Sequence, residues 1–289
     1  MPLDLRAARA RSRVRLTYLS RFGRFPDLAH PRLFTEWVQW RKLNDRSAHH
    51  PLLMDKIAAK ARAEKTLGPE WIIPTLWSGR TLPSRPPVST RAMLKARHGC
   101  NQNAVLDMPL AGQAWDRLRD TARQWCARPY GTVLDEWAYS PVPRGLLIEP
   151  FVSDTRELPI DYKIHVFGGM ATHVQVHVNR GKNHRWMLHD RAFKPLKPTT
   201  DPMPAPRSLT AMLAAAEALA SREDYLRVDF YEVRGQPLFG EYCLYPGSGL
   251  DRFALPGLDK EFGALWSHAR QGRPMPAPGW RSAWSEVPA

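Results

Sequence analysis

The sequence LRVDFYEVRGQPLFGEYCLYPGSG, residues 226–249, indicates two β-strands joined by a turn at residues 234–237. Asp229 lies on the first strand, Glu241 lies on the second, and a tight Pro246-Gly247 turn follows. A hairpin of this length can bring the two carboxylates close together on one face. Two adjacent carboxylates repel each other unless a cation lies between them, and hard oxygen ligands suit Mg²⁺. The hairpin therefore predicts a magnesium site of the kind that carries a nucleotide triphosphate. The alternative is a hairpin whose two acids are merely solvated.

The segments before the hairpin alternate between strand-like and helix-like patterns. Residues 1–50 are predicted to be largely helical, with the aromatic side chains of Phe34, Trp37 and Trp40 on one face. The further predicted elements are a helix that begins at residue 54 and ends before Gly68-Pro69, strands over 71–74 and 92–95, a helix over 113–126, strands over 145–149, 161–167 and 171–178, a long loop over 180–206 and a helix over 209–220. Strand pairs that alternate with helices predict two α+β lobes.

The length and composition are those of a globular protein with a substantial core. At 289 residues, 43% of them hydrophobic, the chain is expected to form one large domain or two closely packed subdomains. No apolar run reaches about 18 residues, so no membrane-spanning helix is predicted. Three cysteines, Cys100, Cys126 and Cys243, give no disulfide framework and favour a reducing cytoplasm.

The net charge of +14 is concentrated near the N-terminus, since residues 1–50 contain eleven Arg and Lys against four Asp and Glu. Such a segment attracts phosphates, acidic glycans or anionic lipid surfaces. Nucleic acid is disfavoured because the sequence has no zinc-finger, RNP or helix-turn-helix signature. An arginine-rich proteome would produce the same excess without any acidic ligand. Given the three cysteines and this basic segment, we expect a cytoplasmic protein that can approach the inner face of the membrane.

The order of charged residues along the chain resembles that of the ATP-grasp superfamily. It runs from Lys95 and its Gly-containing loop through Glu149 and the Asp161-Tyr162-Lys163 strand to Arg227-Val228-Asp229 and Gly240-Glu241. Within the superfamily the resemblance is closest to the TupA-like, teichuronopeptide-type branch, over roughly residues 30–263. The resemblance implies an α+β ATP-grasp fold, in which two α+β lobes clasp the nucleotide. Its expected parts are a basic helical segment over residues 1–50, a first lobe over 51–148, a second lobe with the metal site over 149–265 and a Pro/Trp-rich tail over 266–289.

The resemblance assigns ATP to residues of both lobes. Lys95 and Gly99 match a lysine and a loop that contact the phosphates, and a point charge beside a flexible loop suits that role. Residues 54–60, MDKIAAK, resemble a helix in D-alanine–D-alanine ligase whose second lysine, here Lys60, reaches the phosphates. The adenine and the ribose are expected against Glu149, Phe151, Val152 and Asp161. Taken singly, each of these residues also suits an ordinary turn, a surface position or an ion pair.

The metal site and the phosphoryl group are assigned to the second lobe. In the resemblance Asp229 and Glu241 hold Mg²⁺, or Mn²⁺ in its place, Arg227 faces the transferred phosphoryl group, and Lys163 is a further cation near the phosphates. Without the resemblance, a salt bridge between Arg227 and Asp229 would explain the pair equally well.

One departure from the superfamily pattern concerns the third metal ligand. The superfamily has an asparagine two residues after the glutamate, whereas this chain has Cys243 there. A thiol suits hard Mg²⁺ poorly, so we expect a weakly held ion whose coordination is completed by water or Ser248. The TupA-like branch also commonly lacks the asparagine.

Polar residues on the predicted strand over 171–178 and in the loop after it are further candidates. His173 and His177 lie about 13 Å apart on a strand, too far to chelate one ion, and with Gln175 and Asn179 they are expected to form its polar face. Arg180 matches a family arginine. The loop cations Arg180, His184 and Arg185 are candidates for contact with an acidic substrate, although a solvated loop explains the last two equally well.

The reaction implied by the resemblance is carboxylate activation, in which ATP phosphorylates an acid and an amine then displaces phosphate. The acid could be a small molecule, a uronic acid in a surface polysaccharide or a glutamyl peptide. Two other classes stay open. A metal-dependent glycosyltransferase of polysaccharide biosynthesis would carry an Asp-x-Asp element, which this sequence lacks. A non-catalytic binding protein that kept the fold is favoured only by Cys243.

Overall fold

The structure is a computed structural model that describes residues 5–203, 205–253, 255, 257–273 and 275. Its helices are α1 (Leu5–Phe22), α2 (Phe34–Asn44), α3 (His50–Met54), α4 (Lys56–Leu67), α5 (Gly112–Ala127), α6 (Leu209–Ala220) and α7 (Leu258–Arg270). Its strands are β1 (Trp77–Gly79), β2 (Ala92–Ala96), β3 (Asn103–Leu106), β4 (Leu146–Pro150), β5 (Asp161–Phe167), β6 (Met170–Val178), β7 (Arg185–Asp190), β8 (Tyr225–Val233) and β9 (Gln236–Cys243).

The strands form two antiparallel sheets. The larger has the order β7-β6-β5-β8-β9, and the smaller has the order β1-β4-β2-β3. Helices cover both sheets, so the expected α+β fold is confirmed. The turn between β8 and β9 is Arg234-Gly235, where both residues have positive φ, as two-residue hairpin turns require.

The two faces of the larger sheet differ because side chains alternate along each strand. Apolar residues such as Ile164, Val174 and Val228 are fully buried and pack in one core with Met212 and Ala216 of α6. The opposite face carries the charged residues of β5, β8 and β9. This face is the floor of the candidate site.

The smaller sheet has its own core. Leu94, Leu106 and Ile148 are fully buried and pack with Trp115 and Ala122 of the amphipathic helix α5. This arrangement fixes β2 and β4 side by side, and it brings their polar residues to the side that faces the larger sheet.

Helix α2 packs against the larger sheet and α7. Phe34 lies edge-to-face with Tyr225 at 5.0 Å between ring centroids, and Trp37 stacks on Trp266 at 5.9 Å. Trp40 contacts Trp37 in turn, which confirms that the three aromatics of α2 share a face. Among the described residues, no helix is both long and apolar enough to cross a bilayer.

Several predicted elements are confirmed and others are wrong. The strand over 161–167 and the helix over 209–220 have the predicted bounds. The strand over 71–74 is replaced by a 3₁₀ turn (Pro69–Trp71) and a single bridge from Ile72 to Phe239. The helix predicted to begin at residue 54 begins at Lys56, because Asp55 is extended and accepts from Ile57 N at 3.0 Å as the N-cap.

Three strands and the C-terminal helix were absent from the prediction. Strand β1 follows the 3₁₀ turn, β3 lies at the end of the predicted Gly-containing loop, and β7 lies inside the predicted loop over 180–206. Helix α7 extends to Arg270 and buries Trp266 completely, so the expected tail begins as helix. The rest of that tail, residues 274 and 276–289, lies outside the described residues.

Candidate nucleotide and metal site

A bulge in β9 places the two carboxylates of the hairpin. Asp229 pairs with Glu241, whereas the next residue, Phe230, pairs with Phe239, so Gly240 is the extra residue. A side chain at Gly240 does not fit, because its Cβ would lie 2.9 Å from the Asp229 carbonyl oxygen. Because of the bulge, Asp229 and Glu241 face each other across adjacent strands on one side of the sheet.

Asp229 is buried and is bound by two cations. Arg227, on the same strand face, donates to its two carboxylate oxygens at 2.7 and 2.8 Å. Lys163 Nζ on β5 lies 2.6 Å from Asp229 Oδ2 and 2.6 Å from Asp161 Oδ2. Burial acts to raise the pKa of Asp229, but Arg227 and Lys163 hold it below its usual range. Asp229 is therefore ionised, and the salt bridge that the sequence allowed is present.

Asp161 joins this network from the start of β5. Its Oδ2 accepts from Lys163 and also from Arg180 at 3.1 Å. Arg180 donates to the Pro159 carbonyl at 3.2 Å as well, so it bridges the segment before β5 and the end of β6. The larger sheet and the chain just after β6 thus bring together Asp161, Lys163, Arg180, Arg227, Asp229 and Glu241.

Glu149 of β4 lies between Lys60 of α4 and Lys95 of β2. Lys60 Nζ is 2.8 Å from one carboxylate oxygen, and Lys95 Nζ is 2.6 Å from the other. Burial acts to raise the pKa of Glu149, but Lys95 and Lys60 lower it below its usual value. Since an ammonium already occupies each oxygen, an adenine amine at Glu149 would share this carboxylate with the lysines.

Two further nucleotide-site candidates follow β4. Phe151 N donates to the Arg91 carbonyl at 3.2 Å, and the Arg91 guanidinium lies 3.9 Å from the centroid of the Phe151 ring. Val152 is the next residue and is half-buried. The ring of Phe151 is therefore held in place by a cation–π contact.

Charged groups of α4 and of both sheets meet in a narrow cleft. A cavity of only about 10 Å³ remains there, and its lining residues include Lys56, Lys60, Lys95, Glu149, Gly240 and Glu241. The side chains nearly fill the cleft, so phosphate groups could enter only if these ion pairs open.

Lys56 is a residue of this cleft that the sequence reasoning missed. Its Nζ donates to the Gly99 carbonyl at 2.8 Å and lies 3.4 Å from Glu241 Oε2. The available signal was its position four residues before Lys60, which places both lysines on one face of α4.

Cys243 and Ser248 have surroundings that leave them poor metal ligands. Burial raises the pKa of Cys243 to about 12. Arg227 pairs with Cys243 across the two strands, and its charge offsets only part of this rise in pKa. The thiol therefore stays protonated at neutral pH, which also argues against a nucleophilic role. Ser248 Oγ accepts from the buried Lys42 Nζ at 2.7 Å.

The donor set fits a Mg²⁺ ion shared with the nucleotide. Asp229 Oδ1 accepts one hydrogen bond, from Arg227, and so keeps a free lone pair, while Glu241 Oε1 receives none from the described residues. Within the described part of the chain, no group of three or more His, Cys, Asp or Glu could hold a metal. Two carboxylates alone leave most of an octahedral shell to phosphate oxygens and water.

A larger cavity of about 370 Å³ lies on the polar face of the sheet, beside Arg227. Its wall combines aromatic side chains with three arginines, Arg21, Arg227 and Arg252, and one acid, Asp251. His177 also lines it and lies 2.9 Å from His184 between ring nitrogens. Burial, aided by Lys163 and Arg227, lowers the pKa of His177 to about 3, so that imidazole is neutral. No sequence signal pointed to Arg21 or Arg252.

A profile of the family described as TupA-like ATPgrasp matches residues 36–267. No curated protein matches the chain.

Solved structures with a similar fold are remote. D-alanine–D-alanine ligase from Bacillus anthracis is 14% identical with a TM-score of 0.44, and the match covers 76% of this chain and 66% of that one. VanG D-Ala:D-Ser ligase from Enterococcus faecalis is 11% identical with a TM-score of 0.47, covering 76% and 61%. N5-carboxyaminoimidazole ribonucleotide synthetase from Thermus thermophilus is 17% identical with a TM-score of 0.44, covering 78% and 54%. The chain thus spans less than two thirds of the length of each.

Proposed function

The chain belongs to the TupA-like ATP-grasp family, and from this premise we propose that it is an ATP-dependent carboxylate–amine ligase that acts through an acyl phosphate. The observation that carries the proposal is the pairing of Asp229 with Glu241, flanked by Arg227 and Lys163, across a cleft from Lys60 and Lys95. Two carboxylates and several fixed cations in one cleft match the demands of phosphoryl transfer, which needs positioning and charge neutralisation more than a nucleophile.

In this proposal the first lobe and the strand β5 bind the nucleotide. Lys60 and Lys95 release Glu149 and bind phosphate oxygens instead. Glu149, together with Phe151 and Val152, then binds the adenine. Asp161 receives the ribose hydroxyl groups, and Gly99 leaves room for the phosphates. We also propose that residues 51–148 and 149–265 act as the two lobes, with the adenine at their junction.

Asp229 and Glu241 would hold Mg²⁺, or Mn²⁺, which supplies charge neutralisation of the phosphates when bound. Arg227 is fixed in two hydrogen bonds to Asp229, so its remaining N–H donors are preorganised toward the cavity that it lines. Lys163 neutralises Asp161 and Asp229 together and stabilises negative charge that develops beside them. Arg180 donates to the same Asp161 oxygen and helps to hold that carboxylate in place.

The cavity beside Arg227 is the proposed site of the acid substrate. There the carboxylate oxygen attacks the γ-phosphorus of ATP, and ADP leaves. The amine nitrogen then attacks the acyl carbon, the bond to phosphate breaks, and the amine loses a proton to solvent or to phosphate. Arginine side chains outnumber acids in this cavity by three to one, which supports an anionic substrate.

We further propose that the acid belongs to an acidic polysaccharide or peptide of a surface polymer. Arg21 lies in the last turn of α1 and lines the cavity, and α1 carries six arginines and no acid. A polymer end in the cavity could therefore continue along a cationic helix. The same helix supports a location at the inner, cytoplasmic face of the membrane, whose anionic lipids attract such segments.

A glycosyltransferase is the alternative in a different class, and family membership favours the ligase over it. Thermal denaturation with MgATP, with Mg²⁺ alone and with UDP-sugars separates the two. A ligand that binds only the folded protein adds about 2.7 kcal/mol at a hundredfold excess over its Kd. We expect MgATP to raise the Tm of the wild type and Glu241→Ala to weaken that shift without unfolding the protein. A shift with a UDP-sugar and none with MgATP would contradict the ligase proposal. Retention of the full MgATP shift by Glu241→Ala would contradict the metal assignment.

A further inference from the structure

Lys56 links the two lobes where the loop over residues 97–102 meets the metal carboxylate. The loop connects β2 to β3 in the first lobe, whereas Glu241 lies on β9 in the second. The Lys56 ammonium donates to the Gly99 carbonyl at 2.8 Å and lies 3.4 Å from Glu241 Oε2. One side chain therefore contacts both the tip of the loop and the carboxylate.

The beginning of the loop is anchored separately. Arg97 bonds Asp55 through Nε at 2.7 Å and through a terminal nitrogen at 2.5 Å, and its carbonyl accepts from Lys56 N at 3.2 Å. The base is closed by Ala96 N, which donates to the Gln102 carbonyl at 2.8 Å. With both ends of the loop fixed, the Lys56 ammonium holds the tip at Gly99.

The surroundings make this contact sensitive to the charge of Glu241. The side chains of Lys56 and Glu241 are 18% and 33% exposed, so water screens their attraction only in part. An ammonium between two acceptors is held in place by both. Loss of the carboxylate charge leaves Nζ with the neutral carbonyl and freer to turn toward water.

We propose that Lys56 is a positioning residue that couples Glu241 to the tip of the 97–102 loop. It holds the tip toward the cleft through its contacts with the Gly99 carbonyl and the Glu241 carboxylate, and the tip loosens when either contact is lost. The identification of the loop as phosphate-facing rests on the proposed function, but the coupling can be measured on the protein without nucleotide or metal.

The test is amide hydrogen exchange of Ala96, whose N–H closes the loop onto the Gln102 carbonyl, in a double-mutant cycle. We expect Lys56→Met to speed this exchange about tenfold and Glu241→Gln about threefold, the effects expected of a charge-assisted hydrogen bond and of a part-exposed ion pair. The double variant is expected to exchange no faster than Lys56→Met alone, because the effect of Glu241 passes through Lys56. Lys56→Arg is expected to restore most of the slow exchange.

Lys65→Met, an exposed lysine on the same helix, is the matched control and is expected to leave the loop unchanged. Unaltered protection of Ile164 and Val166 in the core verifies that each variant is folded. Additive effects in the double variant, or an unchanged loop in Lys56→Met, would overturn the coupling. Failure of the ligase proposal would appear instead as a missing MgATP shift of the wild type.

Discussion

Lys163 is the residue on which the buried charges of the second lobe depend most. Its ammonium lies 2.6 Å from both Asp161 and Asp229, which are almost fully buried. We expect Lys163→Met to lower the free energy of unfolding by about 3 kcal/mol, because removing one partner leaves buried carboxylates undercompensated. Urea denaturation at pH 7 measures this.

The exposed Lys182→Met is the control for that experiment, and its expected change is below about 0.5 kcal/mol. A loss of less than about 1 kcal/mol in Lys163→Met would mean that Arg227 and Arg180 compensate the two carboxylates by themselves.

The pH dependence of stability should carry a contribution from Lys42. Burial lowers the pKa of Lys42 from 10.5 to about 8, against the opposing effect of Glu136. Because the folded pKa lies below the unfolded one, the unfolded chain binds more protons between pH 8 and 10.5, so this residue favours folding increasingly as pH rises through that window. We expect the stability difference between wild type and Lys42→Met to change by up to about 1.4 kcal/mol per pH unit there. A difference independent of pH would contradict the assignment.

Residue types and their order identified most of the candidate site. The sequence did not show which of those residues would bond to each other. Lys60 and Glu149 are 89 residues apart, and no local pattern reports that they bond. The same holds for Arg21 and Arg252, which reach the cavity through the path of the chain rather than through a motif. Lys56 had a local signal, but only the fold shows that it contacts Glu241 of β9.

Among the elements, the bulge at Gly240 controls the metal site most directly. Gly240→Ala would bring a Cβ to 2.9 Å from the Asp229 carbonyl, so β8 and β9 must separate or the bulge must move. We expect the MgATP-induced rise in Tm to fall by more than half, with a loss of about 1–3 kcal/mol in stability. Gly112→Ala, where nothing lies within 4 Å, is the control; it should leave the MgATP shift unchanged and should not lower stability. An intact MgATP shift in Gly240→Ala would show that the bulge does not set the geometry of the pair.

The elements that the sequence predicted are those whose apolar pattern is dictated by burial. Strand β5 is buried at every residue and helix α6 buries one face along its length, so both had clear patterns. Strand β7 lies at the sheet edge with its first two residues exposed, so its pattern is mixed and it was assigned to a loop. Strand β3 has four residues, one of them buried. A strand this short shows no detectable alternation of apolar and polar residues.

At the scale of the whole molecule, the excess positive charge is placed where the proposed acid substrate enters. Helix α1 has six arginines and no acid, and its last arginine, Arg21, donates to the Leu250 carbonyl and lines the cavity. Arg252 donates back to the Arg21 carbonyl at 2.8 Å, so the mouth of the cavity and the helix are joined. Arg13 of α1 is paired with Asp135, whereas Arg9, Arg11 and Arg15 are exposed, so their charge is available to a long anionic partner rather than to a small one.

The partner class can be tested with polyglutamate as an acidic polymer. Replacing Arg9, Arg11 and Arg15 by Gln should weaken binding about tenfold at low salt, since three part-screened contacts are each worth about 0.5 kcal/mol. Replacing Arg117, Arg123 and Arg128 by Gln removes the same charge from exposed positions in or next to α5 and should have a much smaller effect. The difference should vanish near 1 M salt, where the Debye length is about 3 Å. Equal losses in both triple variants would mean that net charge alone attracts the polymer, and that α1 is not its binding surface.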